Sequence, residues 1–305
     1  METVSVNTCV HPRFCNFAPI STPRTLSTPS QVFNVGAPIG ASANFDTVSI
    51  RSEKERYIEK LNKLFPNNSI NTLYNNVNRD FGIDKPATLN FVIKNDGVTA
   101  GGYTFSKNEI DLSLEDLLNS DTKIVGIKDG KKYTIVSPQV KLPLFVDKKS
   151  AEQFVQMYSQ NGNLGFDMLV AEPVTEDEQR KFIVQKMAHE VVHAQQHMIL
   201  RQTEGIGEKE IIKAWTHEKP KDILEEGFLK IDTNNIYNNS YWKNQPETPK
   251  TISLDSPLGN LSKTWLEAIR DYPPFDSPEY NVNAIEADAY NRSALYVAQK
   301  LGWWN

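Results

Sequence analysis

The residue pattern predicts an α+β fold, with one catalytic-sized domain over residues 51–305 behind a tail over residues 1–50. Three observations carry this reading. Short runs with strand patterning fall between Leu89 and Val146. Helical periodicities flank them on both sides. One of these, beginning after Thr175, is apolar on more than one face, as a buried helix is.

Residues 1–50 are rich in Ser, Thr, Asn, Pro and Ala and carry few charges, so they are expected to be disordered. They lack a basic start followed by an apolar run, which excludes a conventional secretory signal and makes the cytoplasm the default location, with non-classical export as the alternative. Cys9, His11 and Cys15 lie close in sequence, but in such a tail they read as solvated groups, and two cysteines allow one disulfide at most.

Folding is expected to begin near Ser52. Tyr57, Ile58, Leu61, Leu64 and Phe65 fall at helical spacing, and Ile70, Leu73, Tyr74, Val77 and Phe81 repeat it after a Pro66-Asn67-Asn68 break. Leu89–Ile93 reads as a strand. Gly101 to Leu114 alternates apolar and polar residues about a Ser106-Lys107-Asn108 turn, which reads as a β-hairpin. With Tyr133–Val136 and Leu142–Val146 this predicts a small sheet of about three to five strands. A helix fits Ser150 to Gln160. Thr175-Glu176-Asp177-Glu178 has the form of a capping box, so the buried helix should start near Glu176 and continue through Leu200 until Gly205 offers a stop. Shorter helices fit Glu208–Trp215 and Ser262–Arg270, the polar stretch from Asp232 to Ser256 reads as a long loop, and a last helix should run from about Val282 to Leu301.

Inside the buried helix stands His189-Glu190-Val191-Val192-His193. Residues four apart lie about 40° apart around a helix and about 6 Å apart along it, so both imidazoles can reach one ion while Glu190 projects beside it. Two histidines and a carboxylate are costly in an apolar helix unless they hydrogen-bond or bind metal. Tetrahedral Zn2+ held by His189 and His193 needs one more protein ligand and a water whose proton Glu190 is placed to accept.

The run from His189 to Gln196 resembles the active-site helix of the zincin (HExxH) metallopeptidases, in particular compact bacterial members. The branch with a third histidine ligand is excluded, because Gln196 stands at its glycine position and Ile199 at its histidine position. The resemblance therefore implies a gluzincin, whose third ligand is a glutamate on a later helix. Glu286, in Asn283-Ala284-Ile285-Glu286-Ala287-Asp288-Ala289-Tyr290, resembles the E-x-x-A helix of small gluzincins, and small Ala287 and Ala289 would allow close helix approach. Glu226, in Leu224-Glu225-Glu226-Gly227-Phe228, is similar to a segment of zinc aminopeptidases and stands as the alternative. The resemblance further implies a zinc-dependent endopeptidase acting on peptide or protein substrates, with Glu190 as general base and an edge strand lying along the cleft. The alternatives are an aminopeptidase using Glu226 and a non-catalytic zincin-fold protein that binds a partner or senses metal.

A developing oxyanion needs a further donor. Tyr280, Tyr290, His197 and His217 qualify by type, and Tyr280 and Tyr290 are preferred for their nearness to Glu286. His197, eight residues beyond His189, lies about 12 Å along the axis and cannot join the same ion. It is expected on the cleft wall or beside a neighbouring side chain. Asp288 is a candidate acceptor for the free N–H of a ligating histidine.

A net charge of -5 with no basic block disfavours nucleic acid as a partner. No apolar run approaches the length of a membrane span, and the oligomeric state is left open.

Overall fold

The protein is described by a computed structural model covering residues 3–5, 52–93, 101–136, 145–161, 165–216, 233–273, 277 and 279–302. Within the tail, the three residues Thr3–Ser5 form a strand, β1, which departs from the disorder expected there. The remainder of residues 1–50, with Cys9, His11 and Cys15, lies outside the described residues.

Helix α1 (Glu53–Leu64) opens on a capping box: the Ser52 hydroxyl accepts from the Glu55 amide at 3.3 Å, and the Ser52 amide donates to the Glu55 carboxylate at 2.7 Å. The Pro66–Asn68 break is a single 3-10 turn, with Asn67 in the left-handed conformation that asparagine tolerates. Helix α2 (Ser69–Asp80) follows. Leu61, Phe65, Ile70, Tyr74 and Val77 are buried in one core with residues of the long helix below.

The predicted hairpin forms. In a three-stranded sheet, β2 (Thr88–Val92) pairs parallel with β4 (Glu109–Ser113), and β3 (Gly101–Thr104) pairs antiparallel with β4 in a register that sets Tyr103 opposite Ile110. Strand β3 is thus an edge. Leu114 belongs not to the hairpin but to a short helix, α3 (Leu114–Asn119), because the Ser113 hydroxyl caps it by accepting from the Asp116 amide.

A second sheet has β5 (Thr122–Lys128) at its centre. It pairs antiparallel with β8 (Met168–Pro173) on one side and with β6 (Lys131–Val136) and β7 (Phe145–Val146) on the other, and β1 adds parallel to β6. Strands β5 and β8 were not anticipated. Thr122 to Gly126 is buried without alternation, and even Lys123 is inside, because its ammonium pairs with Glu178 at 2.7 Å. Gly126 is required there: a Cβ would sit 2.5 Å from the Phe166 ring that covers it. Helix α4 (Lys148–Asn161) closes this sheet through Ala151 and Phe154.

Helix α5 (Glu176–Gln202) is the scaffold of the molecule. Thr175 and Glu178 make both bonds of the predicted capping box, and the helix ends at Thr203, two residues before Gly205 takes φ 73°. Its 27 residues span about 40 Å, and sixteen of them are buried, on more than one side. One side meets the three-stranded sheet with α1 to α3. Another meets α6 (Glu208–Trp215) and the helices that follow.

The stretch read as a long loop is partly helical. Helix α7 (Thr233–Asn239) and a 3-10 turn at Tyr241–Asn244 lie within it, the turn capped by Ser240 and pinned by buried Trp242. Its polar, Asn-rich composition hid these elements, since their stability comes from contacts with distant residues. Helix α8 (Pro257–Arg270) starts before the expected Ser262, with Ser256 as N-cap and Pro257 in the first turn. Asn283 caps α9 (Ala284–Leu301) and also donates to the Ala268 carbonyl of α8 at 3.0 Å. Among the described residues no helix is long and apolar enough to cross a membrane.

Candidate metal centre

Helices α5 and α9 cross where Ala289 is fully buried, bringing Glu286 onto the histidine face of α5. The His189 and His193 Nε2 atoms stand 3.0 Å apart, and Glu286 Oε2 and Oε1 lie 3.2 and 3.3 Å from them respectively. One ligand atom from each of the three side chains lies within 4.8 Å of the others, close enough for a single ion bound at about 2.0–2.2 Å to be shared. Three such groups converging inside a protein repel one another unless a cation, either a proton or a metal ion, is shared among them. His189 Nδ1 and Glu286 Oε2 are moreover buried without a hydrogen-bond partner among the described residues. The buried His189, His193 and Glu286 group can therefore hold a metal ion.

Gln196 sets the tautomer of His193. Its Nε2 donates to the Ile285 carbonyl at 2.9 Å and to Asp288 Oδ2 at 2.8 Å, which leaves Oε1 to accept from His193 Nδ1–H at 2.8 Å. The Nε2 lone pair then faces the cluster. Asp288, a candidate acceptor for a histidine N–H, reaches His193 only through Gln196. Gln196→Ala is predicted to weaken metal affinity about 10–100-fold, read by competition with a chromophoric chelator. Unchanged affinity would remove Gln196 from the site.

Burial pushes the Glu190 carboxyl up to about 7, with the Glu286 charge adding to the rise and His193, Lys186 and the Tyr103 backbone N–H opposing it. Burial likewise takes His189 down to about 4. For His193 burial acts downward too, but the Glu286 charge and its hydrogen bond outweigh it and hold the ring up to about 9. The metal-free cluster therefore keeps a proton on His193, which must leave before Nε2 can bind an ion. Loading at pH 7 is expected to release about one proton per ion, and affinity to fall about tenfold per unit as pH drops below about 9. Calorimetry in two buffers of different protonation enthalpy measures this, and absence of proton release would contradict it.

Next to the cluster is a cavity of about 400 Å³. Its floor is α5, along His189, Glu190, His193, His197 and Leu200; β3 forms one wall; and Trp215, Ile269, Tyr272 and Ile285 form the other. Strand β3 comes so close that a Cβ on Gly101 would meet Glu190 Oε1 at 3.1 Å and Leu112 at 2.9 Å. Glycine is the residue that fits.

Of the tyrosines preferred as donors, Tyr280 lines the cavity, edge-on to Tyr272 with ring centroids 5.6 Å apart. Tyr290 does not line it: its ring packs behind His189, centroids 4.3 Å apart. The hydroxyl that reaches the cluster is that of Tyr272, which donates to Glu286 Oε1. Sequence reasoning missed it because Tyr272 lies in the turn after α8, with no spacing that ties it to α9. Burial pushes Tyr272 and Tyr280 well above the ordinary phenol range, so both remain donors. Lys186, one turn before Glu190, was also missed; its ammonium lies 5.5 Å from the centre of the Tyr290 ring. His197 takes the cleft-wall position expected of it. Glu226 and His217 lie outside the described residues.

In comparisons with known proteins, the chain shows no significant match to any family model, curated protein or solved structure.

Proposed function

We propose that the protein is a zinc-dependent metallopeptidase of the gluzincin kind, acting as an endopeptidase. The observation that carries this reading is the buried convergence of His189, His193 and Glu286 with Glu190 beside them at the head of a cavity. Two imidazoles and one carboxylate form a donor set that suits Zn2+ and leaves a coordination position for reactants.

Zinc in this cluster supplies the Lewis acidity that activates water and polarises a carbonyl. The protein's own groups do the rest. Glu190, with a carboxyl near neutrality, takes a proton from water as the C–O bond forms and passes it to the amine as the C–N bond breaks. Gly101 of β3 packs against that carboxylate. Tyr280 supplies a neutral hydroxyl donor for the developing oxyanion, while the single Tyr272 proton stays donated to Glu286 Oε1. Strand β3 offers an extended substrate an edge to pair with.

Among the described residues, the carboxylates lining the cavity are Glu190 and Glu286, and both have roles already. The endopeptidase reading is supported by the edge position of β3, along which an extended chain can pair. The test is cleavage of a proteome-derived peptide library by the zinc-loaded protein. Internal cuts that stop with 1,10-phenanthroline and return with zinc are expected; a loaded protein that cuts no peptide overturns the reading.

A further inference from the structure

Beyond the metal cluster lies a second buried group of polar side chains, centred on Glu208 at the start of α6. Glu208 Oε2 is 3.1 Å from His197 Nε2 and 3.4 Å from Arg201 Nε, and its Oε1 accepts from the Ser240 hydroxyl at 3.1 Å. His197 Nδ1 is 3.0 Å from the Tyr103 hydroxyl, which also lies 3.2 Å from Asn108 Oδ1. The Arg201 guanidinium stacks 4.0 Å from the Trp242 ring centre, and Trp242 Nε1 donates to the Phe105 carbonyl at 2.9 Å. The Tyr241 amide donates to the Ser106 carbonyl at 2.7 Å. Every one of these contacts ends on the β3–β4 hairpin or on a residue that holds it.

The same strand meets Glu190. Gly101 lies so close to that carboxylate that a Cβ on it would meet Glu190 Oε1 at 3.1 Å, and the Tyr103 backbone favours the carboxylate's ionised form. On α5, Glu190, His193 and His197 follow one another at spacings of three and four and so share a face. Strand β3 therefore bridges the two sites, with Gly101 against Glu190 and the Tyr103 side chain on His197.

We infer that the Glu208 network is a positioning device: Tyr103, His197 and Glu208 set the height of strand β3 over α5, and through the strand they orient Glu190. They are positioning residues and touch neither metal nor reacting atoms. This rests on the proposed hydrolase reading. It explains why a long buried polar network stands where apolar packing would have been simpler: a hydrogen-bonded hydroxyl and ring define a strand's position more sharply than non-directional contacts do.

Tyr103→Phe removes one hydroxyl and keeps the ring, so the fold should survive; Glu208→Gln tests the other end of the network. Four quantities are read on the full-length, zinc-loaded protein: zinc per chain, amide hydrogen exchange over Gly101–Phe105, and kcat and KM on the library peptide that wild type cuts fastest. Tyr103→Phe is expected to keep its zinc, exchange these amides about tenfold faster, and lose about tenfold in kcat with KM nearly unchanged. Glu208→Gln should shift the same quantities in the same direction. Faster exchange with full kcat would make the network purely structural and overturn the inference. A fall in kcat with wild-type exchange would make Tyr103 act directly, which overturns it as well. If loaded wild type cuts no peptide, the hydrolase reading falls and takes the positioning role with it, an outcome distinct from the other two.

Discussion

Glu190→Gln is expected to lower peptide cleavage by about 10²–10⁴-fold while leaving zinc content at the wild-type level. The reason is geometric as well as chemical. Glutamine occupies the same volume, so it still fits against Gly101. What it cannot do is take a proton from water near pH 7. The ligands His189, His193 and Glu286 are untouched. Elemental analysis and single-turnover cleavage of one peptide therefore separate the base from the metal site. A variant with full activity would show that Glu190 carries no proton, and a variant that lost its zinc would show that Glu190 helps to hold it.

The second large effect concerns the ligand that comes from the far end of the chain. Wild type is expected to hold about one zinc per chain, and Glu286→Ala to lose it. A metal present at about a thousand times its Kd stabilises the folded state by about 4 kcal/mol, so stripping it with EDTA should lower Tm by on the order of 10 °C. Glu286→Ala should melt low from the start and be indifferent to EDTA. That variant leaves the Tyr272 hydroxyl without its acceptor and the charged His193 ring without its counter-charge, so part of its loss of stability is independent of metal. The EDTA shift isolates the metal-dependent part. A wild type that contains no zinc and melts unchanged in EDTA would make the His189, His193 and Glu286 cluster a structural one.

Where information was local, sequence reading located the parts. Thr175 and Glu178 are three residues apart, so the start of α5 follows from a hydrogen-bond pattern that needs no tertiary partner. The 189, 190 and 193 spacing places its groups by helix geometry alone, and the hairpin follows from alternation about a turn. Glu286 was found by a short pattern on α9, and its arrival at the cluster depends on helix crossing. The central strand β5 escaped because burial on both faces erases alternation and because Lys123 is tolerated inside only by virtue of Glu178, some fifty residues away. Helix α7 escaped because short polar helices are stabilised by what they pack on.

The amino-acid sequence by itself determined the helix that carries the histidines, the edge hairpin, and the residue types able to bind an ion. Those are set by backbone hydrogen bonding and side-chain periodicity over a few residues. Only the tertiary structure decided which tyrosine faces Glu286, that Gln196 sets the His193 tautomer, that Gly101 must be glycine, and that His197 belongs to a network holding β3. Each of these depends on an approach of a few ångströms between segments far apart in the chain, and such an approach is fixed by how the whole core packs rather than by any local preference.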